Sequence, residues 1–136
     1  MSARWDKPMT PEDIADTCEA TAAILEGNWM RGEWYNHAQQ TYCIEGALAA
    51  ALGIDVDAVT NDARERRLLR TCPVYAAVSK TVIERIIATE DEDVDASIRM
   101  VEDDGLPFWN DQDWRQEQEV LDVLHETAKR VLGVEP

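Results

Sequence analysis

Residues 10–27 read TPEDIADTCEATAAILEG, and the order of these residues decides the class of fold. Thr10 is a helix-capping residue, Pro11 suits the first helical position, and Asp13 stands three places after the cap as a shortened capping-box acid. Ile14, Cys18, Thr21 with Ala22, and Leu25 then recur at helical spacing, and Gly27 is placed to end the run. An amphipathic helix is expected over 11–26. The far end of the chain repeats the pattern. Val120, Leu121, Val123, Leu124, Ala128, Val131 and Leu132 form an apolar stripe, Lys129 and Arg130 suit the negative end of a helix dipole, and Gly133 is the stop. That predicts a helix over 113–132.

Between these two, residues 43–52 are alanine-rich and apolar nearly all round, with Ile44, Ala47, Leu48, Ala51 and Leu52 before Gly53. A helix of that kind belongs at the centre of a core. A further helix is expected near 62–70. A longer one runs from Pro73 to about Thr89, marked by Val74, Val78, Val82 (or Thr81), Ile83, Ile86 and Ile87. Residues 28–42 are aromatic, carry Gly32 and lack helical periodicity, which predicts an irregular loop or small β-hairpin. Residues 90–107 form an acidic segment closed by Gly105 and Pro107, and residues 1–9 read as a loose N-terminal arm. The expected architecture is all-α: one domain over 1–136, a small bundle of four to five helices, with a short hairpin at about 28–42.

With 136 residues and 45% hydrophobic content the chain can build one core. Its 28 acids against 13 bases leave a net charge of −15, which repels phosphate backbones and argues against a general nucleic-acid binder. No stretch approaches the roughly 18 apolar residues of a membrane span, and residues 1–8 lack the apolar core of a signal peptide. Cys18, Cys43 and Cys72 are odd in number and widely spaced, which suits reduced thiols in a cytoplasm. Charge is uneven: residues 90–136 carry −11 and residues 1–89 carry −4. Four bases, Arg64, Arg66, Arg67 and Arg70, crowd one short stretch. They read as a solvated face or one turned to the acidic tail; the sharper reading is an epitope for an acidic or phosphorylated partner.

The most specific chemical spacing is DEDVDASIRMVE at 91–102. Asp91, Asp93, Asp95, Ser97 and Glu102 resemble the oxygen ligands of a calcium-binding helix–loop–helix, with Ile98 at the eighth position. Ala96 stands where that loop turns on glycine, and Gly105 and Pro107 interrupt its exit helix. Asp55 and Asp57 begin a similar spacing that reaches Arg66 in place of the last acid, so no ion is expected there. For nucleophilic chemistry the residue types are Cys43 and Cys72 with His37 or His125 as base, although Cys43 lies on an apolar helix where a buried structural thiol is the commoner outcome. Zinc spacing, phosphate loops and hydrolase elbows do not occur. Trp29, Trp34, Tyr35, Trp109 and Trp114 suit core props or interface anchors. The stretch from Trp109 to Trp114, with Asp111 and Asp113 between the rings, suits an anchor for a basic partner.

Three landmarks follow one another in order: Trp29-x-x-Gly32, then Cys43-Ile-Glu-Gly46-Ala47 opening a helix, then Trp109-Asn110-Asp111 ahead of Glu119-Val-Leu121. Together they resemble a family of small actinobacterial and actinophage proteins that share W-x-x-G, C-[LI]-x-G-A, W-N-D and E-V-L elements. Ile44 replaces the usual leucine, and the 90–105 segment is longer and more acidic than is typical. The resemblance implies a soluble helical domain with a phage origin and brings no activity with it. In physical terms Gly46 beside Ala47 admits a backbone or a ring such as Trp29 or Trp34. Asn110 or Asp111 can cap the final helix over Trp109. The expected function is a non-enzymatic, cytoplasmic interaction protein, a phage accessory factor that binds and modulates a host protein. The alternative is an acidic DNA mimic, and the lesser one a calcium-binding module.

Overall fold

A computed structural model of the chain describes residues 8–89 and 93–134. Eight helices and one two-stranded hairpin occupy them: α1 (Pro11–Leu25), β1 (Tyr35–Asn36), β2 (Thr41–Tyr42), α2 (Ile44–Ala51), α3 (Val56–Asn61), α4 (Ala63–Arg70), α5 (Pro73–Thr89), α6 (Val94–Asp104), α7 (Leu106–Asn110) and α8 (Glu117–Val131). The mainly helical class is as expected, and the helix number is higher than four to five. Each additional helix is short or weakly apolar. α3 is six residues with only Val59 buried, and Asp62 ends it while capping α4 through Arg64 N–H (2.9 Å). α6 buries only Val101, with Ile98 and Val94 half-buried one and two turns before it. Gly105, at φ +83°, turns the chain out of α6 and into α7, whose first turn accepts Pro107.

α1 starts as its sequence dictates. Thr10 Oγ1 accepts from Asp13 N–H (3.1 Å) and Asp13 returns the bond to Thr10 N–H (3.0 Å). Its buried face, Ala15, Cys18, Thr21, Ala22 and Leu25, packs most extensively against α8 and then against α2. α5 lies along α8 and completes the bundle. α2 is the innermost element, with Ile44, Ala47, Leu48 and Ala49 fully buried. At about 1.5–3 kcal/mol for each large aliphatic side chain taken from water, this short helix draws its stability from packing.

The 28–42 region is a hairpin, with Tyr35 opposite Tyr42 and Asn36 opposite Thr41. A second rung ties its base, where Met30 N–H donates to Tyr42 C=O (2.9 Å) and Tyr42 N–H to Asn28 C=O (2.8 Å). The hairpin's shoulder presses the Trp34 backbone onto Gly46, so the close approach foreseen at that glycine is made by main chain and not by an indole ring. A Cβ at position 46 would overlap the Trp34 carbonyl. Gly46→Ala is expected to lower stability by about 3 kcal/mol or more, read as a shifted urea midpoint with an unchanged slope.

Candidate functional site

The landmark residues of the sequence converge on one place, where the 28–34 loop meets the 110–116 loop over the start of α2. Asn110 is fully buried there. Its Oδ1 accepts from Trp29 Nε1–H (2.7 Å) and from Ile44 N–H (3.1 Å), and its Nδ2 donates to Met30 C=O (3.0 Å) and Asp111 Oδ1 (2.9 Å). Every capacity of the carboxamide is used. Asn110 thus serves the first amide of α2, while at the start of the final helix Gln116 N–H donates to Glu119 Oε1 (2.9 Å). Gly32, at φ +91°, points its N–H at Asp111 Oδ1 (2.9 Å). Arg31 stacks 4.9 Å from the Trp29 ring centre and donates to the carbonyls of Gln112 (3.0 Å), Asp113 (3.2 Å) and Arg115. One guanidinium therefore gathers three carbonyls of a loop held by a turn bond, Arg115 N–H to Gln112 C=O (3.0 Å), in place of α-helical ones. That is why α8 begins at Glu117 and not at 113.

This arrangement separates the aromatic–acidic stretch into two roles. Trp109 is only 2% exposed and lies beneath Arg115, whose guanidinium is 4.1 Å from its ring centre, donates to Trp109 C=O (3.0 Å) and reaches Glu119 (2.9 Å). It is a core residue, not an anchor. Trp114 is 61% exposed at the crest of the pinned loop. Asp113 beside it is exposed and Asp111 half-buried. Trp114 borders a cleft of about 260 Å³ shared with Arg85 and Thr89 of α5, Trp109, Arg115 and Glu119.

A second polar cluster escaped the sequence reading. Glu45, fully buried on α2, holds Arg70 through two bonds (Nε to Oε1 2.8 Å, Nη2 to Oε2 3.1 Å) and accepts from Tyr75 O–H (2.6 Å) and Trp34 Nε1–H. Tyr75 in turn accepts from Leu106 N–H (2.8 Å), at the start of α7. Burial, then the Glu45 charge, pushes the Tyr75 phenol upward; burial alone would lower Arg70, and its bonds to Glu45 outweigh that and raise it. The signal was present: a lone acid in the otherwise apolar IEGALAAA helix has to be buried and paired. The cluster's polar atoms satisfy one another, with Arg70 alone reaching partly to solvent, which suits a structural role.

The remaining residue types are dispersed. Asp91 lies outside the described residues. Asp93 sits at φ +54° just ahead of α6, and Asp95, Ser97 and Glu102 ride on that helix, so they do not wrap a loop around a centre. Among the described residues no three His, Cys, Asp or Glu side chains gather as a metal site. Cys18, Cys43 and Cys72 are buried and free. His37 meets Asp57 (2.8 Å) and His125 meets Glu19 (2.9 Å), so neither imidazole addresses a thiol among the described residues. Burial carries Cys18 and Cys43 from 9.0 up to about 12, with the neighbouring Glu19 charge adding at Cys18 and the Gly46 amide opposing at Cys43.

Two outcomes follow from this geometry. Asn110→Ala strands the Trp29, Ile44 and Met30 groups and should lower stability by about 3 kcal/mol, against about 1 kcal/mol for Asp111→Ala, measured by urea unfolding. The folded state also keeps thiol protons that the unfolded chain releases above pH 9. Stability is therefore complete below about pH 9 and falls as pH rises toward about 12, while thiol reagents in excess at pH 8 should label the cysteines only at the rate of unfolding.

No curated protein and no solved structure matches the chain. The model of a family of unknown function, DUF6197, matches residues 9–130, a span that holds the whole hub from Trp29 to Glu119. The chain belongs to the DUF6197 family of unknown function.

Proposed function

We propose that this chain is a non-enzymatic interaction protein whose binding surface is centred on Trp114. The observation that carries the reading is an indole 61% exposed on a loop whose backbone is already fixed by Arg31. Exposed tryptophan is costly in water and is the residue type most enriched among interface anchors, and a pre-set loop has little ordering entropy left to lose on binding. The cleft beside it gives a partner side chain somewhere to go. Asp113 at its edge and the chain's −15 charge favour a partner with a basic surface. The same charge disfavours direct contact with nucleic acid. The motif resemblance supports a narrower version, a phage accessory factor acting on a host protein in the host cytoplasm.

The test is a comparison of tagged wild type and Trp114→Ala as baits in actinobacterial lysate, at low and moderate salt, with the captured protein then purified and titrated. A partner held at both salts and weakened about 30-fold or more by Trp114→Ala is the expected result. Trp114→Ala should leave the melting temperature nearly unchanged, whereas Trp109→Ala should cost about 3–5 kcal/mol of stability. Capture that ignores Trp114 and vanishes with salt would transfer the case to the acidic-mimic reading.

A further inference from the structure

The four arginines of α4 divide into two jobs. Arg66 and Arg70 turn inward. Arg66 donates to the carbonyls of Val59 (2.9 Å) and Thr60 (2.8 Å) and lies 5.4 Å from the Trp34 ring centre, and Arg70 holds Glu45. Arg64 and Arg67 turn outward, and both are exposed. Neither makes an ion pair or a side-chain hydrogen bond among the described residues. Three residues apart on a helix, they share one face with roughly 5–6 Å between their Cβ atoms. Leu68, one turn beyond Arg64 on that face, is 36% exposed. Glu65, the acid next to Arg64 in the chain, makes no ion pair with either arginine among the described residues, and Asp62 has its carboxylate turned to the Arg64 amide as a helix cap.

What sets Arg64 and Arg67 apart is that two exposed cations without an ion pair among the described residues stand on one helix face beside an exposed leucine. Elsewhere Arg85, Arg115 and Arg130 each hold a glutamate and Arg31 is occupied by carbonyls, while Lys80, Arg99 and Lys129 stand singly on other helices. We infer that the outward face of α4 is a docking surface for a carboxylate-rich segment of another protein, one whose acids meet Arg64 and Arg67 while an apolar side chain covers Leu68. Separate carboxylates suit two separated guanidinium forks, and an amphipathic acidic helix brings the apolar contact with them. A single phosphate would draw both forks together and leave Leu68 bare. A polyanionic backbone likewise brings no apolar side chain to Leu68. The inward arginines hold α4 rigid, so the face is already formed.

This surface is distinct from the one around Trp114. α4 leads into the first turn of α5, and Trp114 shares its cleft with Arg85 and Thr89 in the last turns of the same helix. Seventeen residues of helix separate the two by roughly 24 Å at 1.5 Å per residue. Two partners of opposite charge can therefore be held together, one at each end of α5.

The test is a titration of ¹⁵N-labelled protein with a synthetic helical peptide carrying glutamates three and four residues apart around a leucine. Its Glu→Gln counterpart and a phosphoserine peptide of the same pattern serve as comparisons. Amide shifts confined to 63–71 are expected, with affinity falling as salt is added. Arg64→Glu/Arg67→Glu should weaken binding about tenfold or more, and Trp114→Ala should leave it unchanged. Because both arginines are exposed and make no ion pair among the described residues, the double variant should keep the wild-type circular dichroism and melting temperature. No shift at millimolar peptide, equal binding of the glutamine peptide, preference for the phosphopeptide, or shifts mapping elsewhere would each overturn the inference. The behaviour of Trp114→Ala keeps this result separate from the fate of the Trp114 interface.

Discussion

Asn110 has four hydrogen-bonding capacities, and the fold uses all of them to join the end of α7 to the start of α2 and to the loop that follows α1. Through its carbonyl oxygen the 29–32 loop and the first turn of α2 share one acceptor; through its amide the same loop and Asp111 are fixed in turn. Because the side chain is wholly buried, none of these partners has water as a substitute. The position of Trp29 sets the position of Arg31, and Arg31 sets the three carbonyls that hold the 112–115 turn open. The exposed indole at the crest of that turn is thus placed by a carboxamide several residues away, through a chain of directional bonds.

The Glu45 cluster does for the other side of α2 what Asn110 does for its start. An ion pair sunk in a core contributes little net stability once desolvation is counted, yet it tolerates few alternative arrangements. Glu45 meets Arg70 at the end of α4, Tyr75 at the start of α5 and Trp34 from the hairpin, and Tyr75 meets the first amide of α7. Four elements thereby take their register from one carboxylate. Gly105 completes the arrangement, since an added Cβ there would stand 2.7 Å from Arg70 Cζ. Gly46 and Gly105 bracket the cluster, each admitting an approach that any side chain would block.

What the sequence made legible follows a physical rule. Elements that bury a broad apolar stripe or carry a strong cap announced themselves: α1 through Thr10 and Asp13, α5 through its valines and isoleucines, the body of α8 through Val120 to Val131. α3, α6 and α7 did not, because each buries one to three side chains and is held by its neighbours more than by its own pattern. The landmark residues were recognisable as a set, but their meeting point was not, since Asn110 and Ile44 lie 66 residues apart and Trp29 and Asn110 lie 81 apart. For the same reason Trp109 and Trp114 looked equivalent in the sequence, and only Arg115 stacking on the first distinguishes them. The arginine run was visible as charge, while its division into inward and outward pairs needed Trp34 and Glu45 in place.

The pairing of α1 with α8 carries a consequence for the order of events in folding. The largest helix contact in the molecule joins its first helix to its last, and Gly27 reaches Glu117 and Glu19 reaches His125 across 90 and 106 residues. During synthesis α1 emerges early, and only part of its apolar stripe finds cover when α2 and α5 follow. Its helix signals are local and strong, but a lone helix of 15 residues is marginal in water. Its largest contact therefore waits until α8 has left the ribosome, a late step that joins residues as far apart as Glu19 and His125, 106 positions along the chain. A dense negative charge helps a chain that must stay soluble through such a wait.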